Sequence, residues 1–141
     1  MSALCLDVAD SAARLGLKGP RAAEWLRAQD VTTPARVNTW SRAPAGVYPV
    51  LREDFAFRLS GTGVHDVLAQ VCNVDFAGLD FEAAPVIMTL MVGVAVLAVP
   101  DGRSEARQYR FWCDPTFGPS LSETLGALIV ECGGTIRGES A

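Results

Sequence analysis

The sequence predicts an α+β fold, a ferredoxin-like sandwich with helices on one face of a mainly antiparallel sheet. Three observations predict it. Phe55, Phe57 and Leu59 alternate with Ala56, Arg58 and Ser60, the period of a half-buried strand. Beyond Gly61 and Gly63, Val64, Val67, Leu68 and Val71 recur at i, i+3, i+4 and i+7, which puts one aliphatic stripe on a helix. Three further strand patterns and a second long helix pattern then follow in series, and such runs of strands and helices suit this class.

Read in order, residues 1–12 are expected to be frayed or draped. Ala13–Lys18 can form a strand, and Gly19-Pro20 opens a helix with proline at its first position, where a missing N–H costs nothing. In that helix Ala22, Trp25 and Leu26 should face inward and Arg21, Glu24 and Arg27 outward. Leu17-Lys18-Gly19-Pro20 with Ala22, Ala23 and Leu26 aligns with Leu59-Ser60-Gly61-Thr62 with Val64, His65 and Leu68, which suggests an internal duplication of a strand–Gly–helix unit. Asp30–Val47 has no helix or strand period and carries Pro34 and Pro44, so it reads as a long loop. Trp40 on that loop anchors either into this chain's own core or into a partner.

Tyr48–Arg52 reads as an edge strand because Pro49 lacks a ladder donor. Asn73–Ala84 is a loop. Val86–Met91 and Val94–Val99 are two apolar strands with a bend or bulge at Gly93, and strands so uniformly apolar are expected to be covered on both faces, one by helices and the other by another chain. Pro100–Arg107 holds an Asp-Gly turn, and Gln108–Cys113 returns as a strand. The last helix has a capping box of Ser120 with Glu123, a stripe of Leu121, Leu125, Leu128, Ile129 and Cys132, and a stop at Gly133-Gly134. Thr135–Ala141 carries no pattern.

A chain of 141 residues, half of them hydrophobic and a fifth charged, is one domain spanning 1–141. Its positive mean hydropathy favours a subunit. A net charge of −4, with Lys18 the only lysine, argues against nucleic acid, which needs clustered cations. Cys5, Cys72, Cys113 and Cys132 lack metal-ligand spacing, and His65 is the only histidine, so no metal site is expected. The N-terminus lacks the basic start and apolar run of a signal peptide, and Val86–Val99 is too short to cross a bilayer. A cytoplasmic protein with free thiols is expected.

No catalytic residue emerges. His65 sits beside the helix stripe and reads as a flanking residue. Cys72 and Cys132 end helices and read as small buried hydrophobes, since nucleophilic cysteines prefer helix N-termini. Asp54 reads as part of a solvated turn. LGLKGP and SGTGV fail to complete a phosphate-binding glycine loop.

Several segments resemble a known family. Arg14–Leu26 (RLGLKGPRAAEWL), Asn38-Thr39-Trp40, Tyr48–Asp54 (YPVLRED), Leu68–Phe76 (LAQVCNVDF) and Tyr109–Gly118 (YRFWCDPTFG) look like the gamma subunit of heterotetrameric sarcosine oxidase, in the superfamily of the glycine-cleavage T-protein folate-binding domain. The stretch from Trp40 to Tyr48 is shorter than the family pattern, and the Lys-Gly-Cys motif of a related iron–sulfur repair protein is absent. The resemblance implies a T-protein-like fold and a structural subunit of a complex that oxidises N-methyl amines. In such a complex larger flavin-bearing subunits hold FAD or FMN and NAD, and tetrahydrofolate captures the one-carbon unit. Trp40, Val86, Met88 and Leu90 are the expected partner contacts. A stand-alone folate-binding or aminomethyltransferase-like protein would instead need an acid facing the pterin, for which Asp54 and Asp75 are the candidates. A small-molecule-sensing domain that dimerises through its sheet is the third reading.

Overall fold

The computed structural model describes residues 3–8, 17, 19–42, 53–102 and 107–138. These form a six-stranded sheet with three α-helices: β1 (Cys5–Asp7), α1 (Ala22–Ala28), β2 (Phe55–Ser60), α2 (Val64–Val71), β3 (Ile87–Met91), β4 (Val94–Pro100), β5 (Gln108–Cys113), α3 (Gly118–Glu131) and β6 (Thr135–Arg137). A 3₁₀ turn, Pro115–Phe117, leads into α3. The strand order is β3-β4-β5-β2-β1-β6, with every ladder antiparallel except β1 with β6.

The strand at Phe55–Ser60 and the helix at Val64–Val71 form as their periods require. Phe57 and Leu59 are wholly buried, as are Val67 and, nearly, Val64 and Leu68. The two elements face each other because Gly61 and Gly63 both take positive φ and turn the chain sharply between them. Gly61 has a second role. A Cβ there would lie 2.0 Å from the Ala3 carbonyl oxygen, so only glycine lets β1 approach.

α3 covers the same sheet face with Leu121, Leu125 and Ile129, all buried with Leu6, Phe57, Leu59, Tyr109 and Phe111 in one core. One parallel crossing follows from the register: α3 joins β5 to β6, parallel strands separated by β2 and β1, whereas α2 leads from β2 to β3, an edge strand antiparallel to β2. Gly134 N–H bonds to the Ile129 carbonyl and Gly133 N–H to that of Val130, which ends α3 at the glycines as expected.

Several expectations are corrected. Residues 5–7 are an interior strand, not a frayed end: Leu6 is wholly buried between β2 and β6. Thr135–Arg137, without pattern in the sequence, is the strand beside it. Both are too short for a period to show, and the backbone ladder fixes them. Pro20 lies in a turn before α1. No residue of α1 is buried and Trp25 is 56% exposed, so the inward face assigned to Ala22, Trp25 and Leu26 is not packed. The alignment with α2 therefore does not extend to packing. Ser120 and Glu123 do not cap α3; the helix begins at Gly118, and Asp114 caps the preceding 3₁₀ turn by accepting from the Thr116 N–H. Cys132 is exposed at the end of α3 rather than in its stripe. Of the bend or bulge expected at Gly93 the structure has the bend: Val92 and Gly93, with φ of 50° and 79°, form the two-residue turn of the β3–β4 hairpin. The expected strand at Tyr48–Arg52, and that at Ala13–Lys18 apart from Leu17, lie outside the described residues. No helix among the described residues is long and apolar enough to cross a membrane.

Replacing Gly61 by Ala should expel β1 and cost about 2–3 kcal/mol, from strain at positive φ and the backbone clash. Gly93→Ala meets nothing within 4 Å and should cost only about 1 kcal/mol. Denaturant midpoints of the two variants measure the difference.

Candidate functional site

The helices cover one face of the sheet; the residues expected to meet a partner lie on or beside the other. Register places Met88, Leu97, Trp112 and Ala56 side by side across four strands on this second face. The next row on the same face is Val99, Arg110, Arg58, Asp7 and Arg137. The face is thus apolar at the β3 side and charged at the β1 side.

Of the four expected contact residues, the structure separates two from two. Trp40 and Val86 pack on Ala56, Val99 and Trp112, a small second core within this chain. The loop carrying Trp40 is fastened at the end of the sheet, where Trp40 N–H donates to the Ala84 carbonyl and Val86 N–H to that of Asn38. Met88 and Leu90, on edge strand β3, are 83% and 59% exposed. Beside them lies an open groove of about 650 Å³ lined by Leu97, Trp112, Asn73 and Asp114 among others. The cover expected over both faces is therefore incomplete among the described residues.

β3 is an edge strand flanked at both ends: Thr39 bridges Pro85 at one end, and Cys72 bridges Met91 at the other, with Val92 N–H donating to the Val71 carbonyl. Segments that flank a sheet edge in this way shorten what it offers for edge-to-edge pairing.

The charged row is organised by Asp101, a residue that the sequence marks only as part of a turn. Its side chain is 3% exposed and lies 2.6 Å from Arg42 and 3.0 Å from Arg110, with Gln108 Nε2 at 3.5 Å. A buried carboxylate needs such partners to offset lost hydration. The alternation that turns Arg58 and Arg110 to one face was the available sign that a carboxylate must meet them. Asp7 lies 3.5 Å from Arg58.

On the helical face, His65 closes a polar chain. Its Nε2 is 2.7 Å from the Tyr109 hydroxyl, which itself donates to the Phe76 carbonyl at 2.9 Å. With that proton committed, the imidazole must be the donor, and His65 holds α2 to β5. Phe76 and Phe81 pack edge-on against the Tyr109 ring, and Arg107 donates to the Ala77 carbonyl across Phe81. Burial, helped by Arg107, holds the His65 imidazole below its usual range against the opposing pull of Asp66 and Asp75. Burial also raises the Tyr109 hydroxyl, so it stays neutral. The arrangement fits the flanking role read from the sequence.

The two acids considered for a folate site are apart from one another in role. Asp75 Oδ1 accepts from the Ala77 and Gly78 N–H groups and shapes the loop after α2. Asp54 precedes β2 with its carboxylate oxygens buried, and its charge helps to raise the Cys113 thiol, which burial raises most. A solvated turn does not describe Asp54. Cys72 is buried at the end of α2 and pushed up to about 11, which makes it the inert hydrophobe expected; Cys132 is the exposed exception. No cluster that could hold a metal ion occurs among the described residues. Comparison of the chain with protein-family models and with curated proteins finds no match.

Two measurements test this account. A histidine with a depressed folded pKa contributes stability that is full above its unfolded pKa of about 6.5 and is lost as pH falls through the folded value. Wild-type melting temperature should therefore drop further between about pH 7.5 and pH 5 than that of His65→Gln, the unfolded imidazole taking the proton first. Under native conditions, a thiol-reactive dye should modify Cys132 at once and Cys5, Cys72 and Cys113 only on unfolding.

Proposed function

We propose that this chain is a small, non-catalytic subunit of a cytoplasmic, flavin-dependent complex that oxidises and demethylates N-methyl amines, of the sarcosine oxidase type. The observation that carries the reading is the bare apolar surface of β3, where Met88 and Leu90 stand 83% and 59% exposed beside an open groove. Exposed apolar patches of this kind mark interaction sites. Larger flavin-bearing subunits would cover it, and in such a complex FAD or FMN and NAD carry the oxidation while tetrahydrofolate takes up the one-carbon unit. The segment resemblances, Leu68–Phe76 and Tyr109–Gly118 among them, support the same reading. So do the helices packed on one face of a mainly antiparallel sheet, which suit a ferredoxin-like, T-protein-like domain.

On this reading Met88 and Leu90 are contact residues, whereas Trp40 and Val86 shape the neighbouring surface from within. The reading gives this chain a docking role, and it is supported by Asp101 and Tyr109 being engaged in ion pairs and hydrogen bonds within the chain.

The test is purification of the tagged chain from its native host. It should emerge in fixed ratio with larger subunits, the complex should show flavin absorbance and oxidise sarcosine or another N-methyl amine, and Met88→Lys with Leu90→Lys should weaken its retention at least tenfold. A chain that purifies alone as a monodisperse protein and binds reduced folate would sink the proposal in favour of a stand-alone one-carbon protein.

A further inference from the structure

The segment 31–42 crosses from exposed helix α1 to the second sheet face, and its attachment there is confined to one end. None of its residues is buried, and none of α1 is. Among the described residues, its hold on the sheet consists of the Trp40 ring on Ala56, Val99 and Trp112, the two backbone hydrogen bonds to Ala84 and Val86, and the Arg42–Asp101 pair. Arg42 bridges these contacts, since its guanidinium lies 5.6 Å from the Trp40 ring centroid as well as 2.6 Å from Asp101.

One feature opposes docking. Trp40 Nε1 is buried with no hydrogen-bond partner among the described residues, and an N–H that loses water without gaining an acceptor favours the released state. Release would return it to water. Asp101 would keep Arg110 and Gln108, so the sheet loses no internal partner when Arg42 leaves.

We propose that residues 31–42 form a releasable strap, latched by Arg42 on Asp101, that opens while the sheet stays folded. Opening uncovers Ala56, Val99 and Trp112 and joins them to Met88 and Leu97 as one apolar surface. Because Arg42 is 71% exposed, salt weakens the latch from solvent. The inference rests on the strap's own contacts and holds whether or not the chain is a subunit.

Amide hydrogen exchange on the intact chain tests it. The Trp40 and Val86 N–H groups, whose bonds break on release, report the strap; Leu59 and Phe111, paired on both sides within the sheet, report global unfolding. In the wild type the first pair should exchange at least about a hundredfold faster than the second. Arg42→Gln should accelerate the strap amides about tenfold further and leave Leu59 and Phe111 unchanged, and raised salt should do the same in the wild type. Exchange of all four in step overturns the strap as a separate unit. Strap amides indifferent to both Arg42→Gln and salt overturn the latch.

Discussion

Everything in this fold depends on one packing constraint: the apolar face of β2 and β5 must be roofed by α2 and α3. Phe57, Leu59, Tyr109 and Phe111 present a continuous aromatic and aliphatic surface, and Val64, Val67, Leu68, Leu121, Leu125 and Ile129 close over it. Phe57 and Phe111 stack at 5.0 Å between centroids, so the two central strands are joined through their rings as well as their ladder. Burial of this kind is the dominant favourable term in folding. The peripheral strands take their places from it: β1 slots beside β2 because Gly61 leaves room, and β6 arrives beside β1 because α3 ends on glycines that turn the chain back.

The same constraint explains why the second face differs. With both long helices committed to one side, the Trp40 loop is the cover that the described residues give the other, and it packs on Ala56, Val99 and Trp112. Polar residues do the rest. Asp101 gathers Arg42 and Arg110, and Asp7 meets Arg58, so the β1 side of the face is satisfied by ion pairs while the β3 side is left apolar. The proposed docking role and the proposed strap both arise from this division, one from what is left bare and the other from how loosely the remainder is fastened.

Polar groups on the helical face show the opposite economy. Tyr109 is wholly buried, yet its hydroxyl is satisfied twice, by Phe76 and by His65. A histidine that would be chemically attractive on composition alone is thereby tied to a structural task. Cys72 and Cys113 are similarly withdrawn by burial, leaving Cys132 as the accessible thiol.

The sequence by itself determined the elements whose periods are long enough to register: β2, α2, the β3–β4 pair, β5 and α3, together with the glycine stop of α3. Their local patterns and their tertiary roles agree, because a stripe or an alternation is the imprint of the face that will be buried. Tertiary structure alone decided the rest. Three-residue strands such as Cys5–Asp7 and Thr135–Arg137 are held by neighbouring ladders, not by any preference of their own. α1 has an apolar stripe in which no residue is buried, whereas Trp40, ambiguous on a loop, finds a core. Asp101 looked like a turn residue because the arginines it joins are distant in the chain, and only folding brings Arg42 and Arg110 to the same carboxylate.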